Sequence, residues 1–385
     1  MGAIRFKSVL IGILLVCQVA GLNAERLLVS DHMAGMLYRI KGRKTESRLD
    51  EIFYKLRNTY GFNGAVLLSE NNHIVYKKAF GYADLKSRTE LSTQSIFQLA
   101  SVSKQFTAVA VMMLKSKGLL QYDDKIRKYF PEFPYPEVSI RHLLNHRGGL
   151  PDYRWFLDPY LSNKLAPVNN QQMMDYFALY KPAPYFKAGS HHAYSNTGYA
   201  VLSALVEKIS GVPFSKFMQL AVFKPLAMKR TYVYSKSEFE NPPNAVKGYE
   251  KNGRWEAPND CFNGITGDKN VFSTVEDLFL WDQALYSNKL LPQNELEEAF
   301  KPGNPELKGY RNYGFGFRIN QQVKDKKIVY HSGWWRGFRT FFLRNISDKS
   351  SIIILSNTVN YSINSLQELY SLVIQGDVDS LVTEY

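Results

Sequence analysis

Strand-like segments stand at both ends of this chain, and a long stretch of helical pattern separates them. The first two, Gly64 to Ser69 and His73 to Ala79, flank Glu70-Asn71-Asn72, which is typical of a hairpin turn. Strand character returns only after residue 300 and continues to Leu355. Segments so far apart share a sheet only if the middle of the chain is inserted between them. The pattern therefore predicts an α/β (α+β) fold: an antiparallel sheet flanked by helices, with an inserted, mostly helical subdomain.

The periodicity of the sequence places the individual segments. Apolar residues from Leu49 to Leu56 recur at helical spacing, which predicts an N-terminal helix. We place the sheet segments at about 49–121 and 301–375 and the helical part at about 122–300, within a single domain over residues 25–385. Four later strands are predicted: Tyr313 to Ile319, Lys327 to His331, Phe338 to Leu343, and Ser351 to Leu355.

Composition narrows the class of protein. The chain has 385 residues and a formal net charge of +13, and its lysines and arginines are scattered rather than gathered in a stripe. A nucleic-acid-binding protein would show a basic stripe or a known module, and neither is present. The scattered charge fits solubility or attraction to an anionic envelope surface. We expect a monomer with no nucleic-acid partner and no stable membrane span.

The N-terminus resembles a secretory signal. Arg5 and Lys7 precede the apolar stretch Ser8 to Leu22, which is too short to span a bilayer comfortably. We predict a signal peptide over residues 1–24 and export to the periplasm or the outside of the cell. The residues before Cys17 also resemble a lipoprotein box, but Val16 is a poor match there, so we favour a soluble exported protein over a lipid-anchored one.

The segment Ser101-Val102-Ser103-Lys104 opens a nearly continuous apolar run, and Gly118 is a suitable residue to end that helix. A serine in the first turn of a buried helix lies near unpaired backbone N–H groups and the positive end of the helix dipole. Lys104, one turn later, lies on the same face. The segment thus combines a hydroxyl, a cation that can manage its proton, and donors for an oxyanion, which are the parts that serine acyl transfer uses.

A second motif, Tyr194-Ser195-Asn196, precedes another apolar helix. A lysine beside the Tyr194 phenol should favour the phenolate and lower its pKa, which would let the phenol pass a proton to a leaving group. Asn196 offers an amide to orient the lysine and the substrate. The same pattern recurs at Tyr286 and Tyr310, but the first trails a helix and the second precedes a strand. We therefore prefer Tyr194.

A third motif, His331-Ser332-Gly333, stands at the end of the strand that begins at Lys327. The small residues Ser332 and Gly333 would let a substrate backbone lie along the strand edge. The N–H of Trp334 can point at the same spot as that of Ser101, and two such donors make an oxyanion hole. Trp335 is either a substrate platform beside this hole or a packing residue, and the sequence leaves both open.

Three further features are assigned structural roles. His142 and His146 are four residues apart, but the glutamate of a zinc-binding H-E-x-x-H is absent, so we expect capping or core roles and no metal or cofactor. Gly267-Asp268-Lys269 resembles a tight turn near the pocket. Cys261 is the one cysteine left after signal cleavage, which leaves no intramolecular disulfide.

With these motifs, the chain resembles the beta-lactamase-related serine hydrolases, which include class C beta-lactamases, serine DD-peptidases, D-amino-acid peptidases and penicillin-binding esterases. The resemblance runs from about residue 49 to 372. It also covers three connecting stretches: Gly81 to Asp84, Ile140 to Pro151, and Ser273 to Leu278.

The resemblance implies a role for each motif. Ser101 would be the acylated nucleophile, Lys104 its proton partner, Tyr194 the general base and acid, and Asn196 the orienting amide. Which of Lys104 and Tyr194 takes the serine proton is left open. His331 replaces the lysine of the Lys-Thr-Gly motif in class C beta-lactamases, which disfavours efficient antibiotic hydrolysis. Arg336, or Arg339 beside it, would supply the missing charge for a substrate carboxylate.

The resemblance therefore implies a serine hydrolase that forms an acyl-enzyme on peptide, amide or ester carbonyls. A DD-peptidase or D-amino-acid peptidase acting on a small-molecule or cell-wall peptide substrate is the preferred hypothesis. A carboxylesterase and a weak beta-lactamase are alternatives within the family. A penicillin-binding receptor without turnover is the alternative from another class.

Overall fold

The internal contacts of the chain divide it into two units, residues 1–52 and 53–385. The structure, a computed structural model, describes residues 46–235, 244–250, 253–258, 260–309, 312–323, 325–359 and 369. Residues 46–52 of the first unit are helical, and residues 53–60 of the second (α1) are helical as well, which confirms the helix predicted over Leu49 to Leu56. The signal peptide predicted over residues 1–24, with Cys17, lies outside the described residues.

The described strands and helices follow one another in this order. The strands are β1 (Gly64–Glu70), β2 (His73–Phe80), β3 (Tyr82–Asp84), β4 (Thr89–Glu90), β5 (Phe97–Gln98), β6 (Tyr232–Val233), β7 (Tyr249–Glu250), β8 (Trp255–Glu256), β9 (Val271–Ser273), β10 (Asn312–Tyr313), β11 (Arg318–Asn320), β12 (Ile328–Trp335), β13 (Phe338–Asn345) and β14 (Ser350–Ser356). The helices after α1 are α2 (Ser103–Ser116), α3 (Ile140–Leu144), α4 (Tyr153–Leu157), α5 (Asn170–Tyr180), α6 (Asn196–Ser210), α7 (Phe214–Met218), α8 (Val275–Ala284) and α9 (Gln293–Leu296).

A seven-stranded antiparallel sheet of order β10-β11-β12-β13-β14-β1-β2 joins strands from both parts of the sequence. β1 pairs with β14, so Gly64 lies opposite Ser356. The β1–β2 turn holds Asn71 at φ +49° and Asn72 at φ +65°. Asparagine tolerates this left-handed backbone, which matches the twist of a two-residue hairpin. The predicted antiparallel sheet with its inserted helical part is thereby confirmed.

Two predicted boundaries are wrong. The single strand predicted from Tyr313 to Ile319 is a hairpin of β10 and β11, because Gly316 at φ +80° turns the chain between them. The strand predicted to end at His331 continues to Trp335, so the third motif lies inside β12 rather than after it. Short strands of two or three residues also interrupt the region predicted as helical, and two of them, β6 and β9, form a small sheet with β5 from the earlier part of the chain.

Helix α2 lies in the hydrophobic core. Every residue from Ser103 to Leu114 is buried. Its Phe106 ring stacks on Trp281 of α8 at a centroid distance of 4.2 Å, which fixes α2 against a helix that packs on β1 and β14. Within the described ranges, no helix is long and apolar enough to cross a membrane.

Candidate active site

A cavity of about 510 Å³ brings residues of all three motifs together. A second groove, of about 580 Å³, has no serine, threonine or cysteine in its described walls. Because acyl transfer requires a nucleophile, we assign the site to the smaller cavity. Of the predicted site residues, those in its walls are Ser101, Tyr194, Asn196, His331, Ser332, Trp334, Trp335 and Arg336.

Ser101 lies in a 3₁₀ turn, Ala100–Val102, that leads directly into α2. Ala100 before it adopts φ +49°, a backbone conformation that costs a residue other than glycine about 1–2 kcal/mol. Neighbouring contacts hold the turn: Leu99 N–H donates to Val271 O at 2.8 Å, and Thr340 Oγ1 donates to Leu99 O at 2.7 Å. The predicted nucleophile, Ser101, therefore lies on a strained, tightly fixed turn.

Lys104 is fully buried directly behind the nucleophile. Its Nζ lies 3.1 Å from Ser101 Oγ, 2.8 Å from Asn196 Oδ1 and 2.8 Å from the main-chain oxygen of Asp268. Burial is the main reason why the pKa of Lys104 falls to about 7. A substantial fraction of the amine is thus neutral near neutral pH.

The partners of Lys104 decide where its lone pair points. The oxygens of Asn196 and Asp268 can only accept hydrogen bonds, so they take the two N–H groups of the neutral amine. The lone pair then faces the third partner, Ser101 Oγ, which can donate its hydroxyl proton. This geometry suits Lys104 as the group that takes the serine proton.

Tyr194 is adjacent to both groups. Its ring centroid lies 4.9 Å from Lys104 Nζ, and its hydroxyl is hydrogen-bonded to Ser101. The expected lowering of its pKa is wrong: burial raises the pKa of Tyr194, and the Ser101 hydrogen bond and Arg318 offset this only in part. Tyr194 is 38% exposed as a residue, and its ring packs against that of His146 at a centroid distance of 4.3 Å. Tyr194 therefore keeps its proton and is placed as a proton donor.

His146, which the sequence suggested was a capping or core residue, holds the Tyr194 segment from two sides. Its main-chain oxygen accepts the Ala193 N–H at 2.9 Å, and its Nδ1 accepts the Ser195 N–H at 3.1 Å. Its ring packs on that of Tyr194 at 4.3 Å. Burial holds the pKa of His146 well below its usual range, which keeps Nδ1 unprotonated and able to accept. His146 is a positioning residue for Tyr194.

Two substitutions of His146 test this role. His146 has φ +58°, and both asparagine and glycine tolerate that backbone, but only asparagine retains an acceptor near the Nδ1 position. We expect His146→Gly to lower kcat by about tenfold to a hundredfold through misplacement of Tyr194, with a smaller change in KM. His146→Asn should restore most of kcat. Equal losses of kcat in the two variants, at equal thermal stability, would contradict the role.

The third motif, His331-Ser332-Gly333, lies in β12, and the Ala100–Val102 turn packs against the edge of that strand. β11 pairs with β12 only as far as Tyr330, and the Ala100–Val102 turn packs against the strand beyond that point. Gly333 is required there, because a Cβ would lie 2.5 Å from Leu99 O and 2.2 Å from Thr340 Oγ1. Trp334 and Ser101 line the same cavity, and the Trp334 N–H as second oxyanion donor stays a prediction.

His331 is satisfied inside the protein. Its Nδ1 lies 2.7 Å from Ser332 O, which can only accept, so Nδ1 carries the proton and Nε2 accepts from the Tyr313 hydroxyl at 2.9 Å. Burial, with a smaller effect from Arg318, holds the pKa of His331 well below its usual range. A neutral, internally bonded ring supplies no positive charge to the cavity.

The cation that lies beside Tyr194 is also not the arginine that the sequence suggested. The Arg336 guanidinium pairs with Asp260 and donates to Pro258 O, so its charge is already neutralised. Arg318, which the sequence analysis missed, lines the cavity on β11 with its guanidinium carbon 5.5 Å from the Tyr194 ring centroid. Its positive charge lowers the pKa of Tyr194 and that of His331. Arg318 is the cation at the Tyr194 end of the cavity.

Trp335, Asp268 and Lys269 also line the cavity. Trp335 Nε1 donates to Asn263 Oδ1 at 3.3 Å, and Lys269 Nζ lies 5.0 Å from its ring centroid. Asp268 accepts a hydrogen bond from the Tyr153 hydroxyl at 3.0 Å through its side chain, while its main chain holds Lys104. The predicted tight turn is thus part of the site, and Trp335 both packs and lines the cavity.

Known proteins are similar to this chain in sequence. A family model described as Beta-lactamase matches residues 49–367. The chain is 36% identical over 325 residues to penicillin-binding protein 4* of Bacillus subtilis (strain 168), which covers 80% of this chain and 71% of that protein. It is 25% identical over 312 residues to a D-aminopeptidase of Brucella anthropi, covering 78% of this chain but 57% of that protein.

A solved structure is similar as well. The octameric penicillin-binding protein homologue from Pyrococcus abyssi superposes with a TM-score of 0.73 at 26% identity, over 85% of this chain and 77% of that one. Since that homologue is octameric, the monomer expected here stays a prediction. The fold and the site define a serine hydrolase. The chain belongs to the beta-lactamase family.

Proposed function

We propose that the protein is a DD-peptidase that removes the C-terminal residue from peptides ending in D-amino acids. One relative is named a penicillin-binding protein, and another is named a D-aminopeptidase, which acts at the amino end of peptides; the second name supports D-amino-acid peptides as the substrate class. The observation that carries the proposal is the position of Arg318. Its cation lies beside Tyr194, where the departing residue is protonated, and a departing C-terminal residue carries a carboxylate.

The geometry supports the following sequence of proton transfers. Lys104 Nζ takes the proton of Ser101 Oγ as that oxygen attacks the carbonyl carbon, and the N–H groups of Ser101 and Trp334 stabilise the oxyanion. Tyr194 gives its proton to the departing nitrogen and is reprotonated from Lys104. The C–N bond breaks and an ester on Ser101 remains. A water then attacks the ester, its proton passes to Lys104, and Ser101 Oγ recovers a proton on leaving.

A substrate panel tests the proposal. It contains an N-acylated peptide ending in D-Ala-D-Ala, its C-terminal amide, a D-amino-acid amide, a short aryl ester and nitrocefin. We expect the highest kcat/KM for the peptide with the free carboxylate. A short ester or nitrocefin turned over as efficiently would instead favour the esterase or the beta-lactamase alternative.

Substitutions of Arg318 test directly whether its guanidinium binds the substrate carboxylate. Arg318→Gln should lower kcat/KM for the free carboxylate by about tenfold to a hundredfold, the value of a charge-assisted hydrogen bond. The loss should be smaller for the C-terminal amide, and Arg318→Lys should recover part of it. Equal losses for the carboxylate and the amide would contradict this role of Arg318.

We further propose that the protein acts outside the cytoplasm. The charged start and apolar stretch of residues 1–24 support export, and so does a substrate class found in cell walls. N-terminal sequencing of the secreted protein tests this: a mature chain beginning near Glu25 is expected, and an intact Met1 would contradict it.

A further inference from the structure

Residues of opposite charge lie beside the two ends of β12, on two other strands. Arg318 pairs in register with Tyr330 near one end, whereas Glu250 of β7 accepts the Gly337 N–H at 2.9 Å just beyond the other end. At ~3.3 Å per residue, Tyr330 and Trp335 are about 16 Å apart. Gly333, between them, lies against the Ser101 turn. A substrate along this edge therefore meets Arg318 on one side of the nucleophile and Glu250 on the other, and both residues line the cavity.

At its end of the cavity, Glu250 is a carboxylate that the described cations of the cavity wall leave without an ion pair. Three cations that line the cavity there have carboxylate partners of their own: Arg154 with Asp152 at 2.5 Å, Lys269 with Asp268 at 3.4 Å, and Arg336 with Asp260. Glu250 is half-buried, and within the part of the chain that the structure describes its carboxylate forms no ion pair. The Glu250 carboxylate in the cavity wall thus forms no ion pair with any cation of the described ranges.

We propose that Glu250 binds an ammonium group in the acyl part of the substrate. This rests on the proposed function in one respect, since the Tyr194 and Arg318 side is taken as the side of the departing residue. The substrate class is then a peptide with a carboxylate on the departing residue and an amine several bonds before the scissile carbonyl.

Three matched peptides test the proposal. They carry hexanoyl, 6-aminohexanoyl or adipoyl on the same D-Ala-D-Ala, so the acyl end is neutral, positive or negative at equal length. We expect kcat/KM to be about tenfold higher for 6-aminohexanoyl than for hexanoyl, and lowest for adipoyl. In Glu250→Gln, the ratio between 6-aminohexanoyl and hexanoyl should fall to about one. Glutamine still accepts the Gly337 N–H, so a purely structural Glu250 would leave the ratio unchanged.

A binding measurement separates this proposal from the proposed function. Calorimetry on Ser101→Ala with the same three peptides should rank the affinities in the same order. Hydrolysis or binding without a charge preference overturns the Glu250 assignment and leaves the peptidase intact. If none of the peptides is hydrolysed but the 6-aminohexanoyl peptide still binds most tightly, the peptidase proposal fails and the Glu250 assignment stands.

Discussion

Replacing Ser101 with alanine is expected to abolish hydrolysis, with kcat/KM lowered by at least about 10⁴-fold on any active substrate. Without Oγ, no acyl-enzyme ester can form, and the oxyanion donors alone give only residual catalysis. Ser116, exposed at the other end of α2, provides the matched control, and Ser116→Ala should keep full activity. Circular dichroism should show that both variants fold. Retained hydrolysis in a folded Ser101→Ala protein would rule out Ser101 as nucleophile.

The second large effect is expected at Lys104. Lys104→Met retains an unbranched side chain of similar length but removes the amine, so kcat/KM should fall by about 10²–10⁴-fold, the range of general base catalysis. Some loss of stability is expected too, because Asn196 Oδ1 and Asp268 O lose a buried donor. Thermal melting of the variant separates this loss from the loss of catalysis.

The pH dependence identifies the base. Because Lys104 must be neutral to accept a proton, kcat/KM of the wild-type enzyme should fall as the pH drops through about 7, where Lys104 becomes protonated. Burial lowers the pKa of His192 to about 4 and holds those of His146 and His331 well below their usual range. These histidines therefore do not account for a limb near pH 7. The residual activity of Lys104→Met should lack this limb, and its persistence unchanged would assign the base elsewhere.

The fold was predictable wherever a pattern was long enough to be read. The apolar runs of β1 and β14 are buried on both faces and mark strands unambiguously, and the Asn71-Asn72 turn carries its own conformational signature. The β10–β11 hairpin was missed because one glycine, Gly316, makes the difference between a strand and a turn. Strands as short as β6 or β7 were missed because two residues carry no periodicity.

The candidate site was predictable where one motif contains its own chemistry, as with Ser101 and Lys104. It was not predictable where function depends on contacts between distant segments. Arg318 reaches Tyr194 across about 120 residues of sequence, and only the sheet register reveals it. The neutral state of His331 depends on burial by distant segments, and the hydroxyl that bonds its Nε2 comes from Tyr313 on another strand. His146 had one visible signal, its place in the stretch Ile140 to Pro151 that resembles the family.

The most direct test of the account is to find where acylation occurs. The wild-type enzyme is mixed with an N-acylated D-alanyl thioester, quenched in acid at timed intervals, and digested for peptide mapping by mass spectrometry. The account predicts an acyl group on Ser101 that rises and then decays as substrate is consumed. An adduct on another residue, no adduct at all during turnover, or a Ser101 adduct that never decays would contradict it.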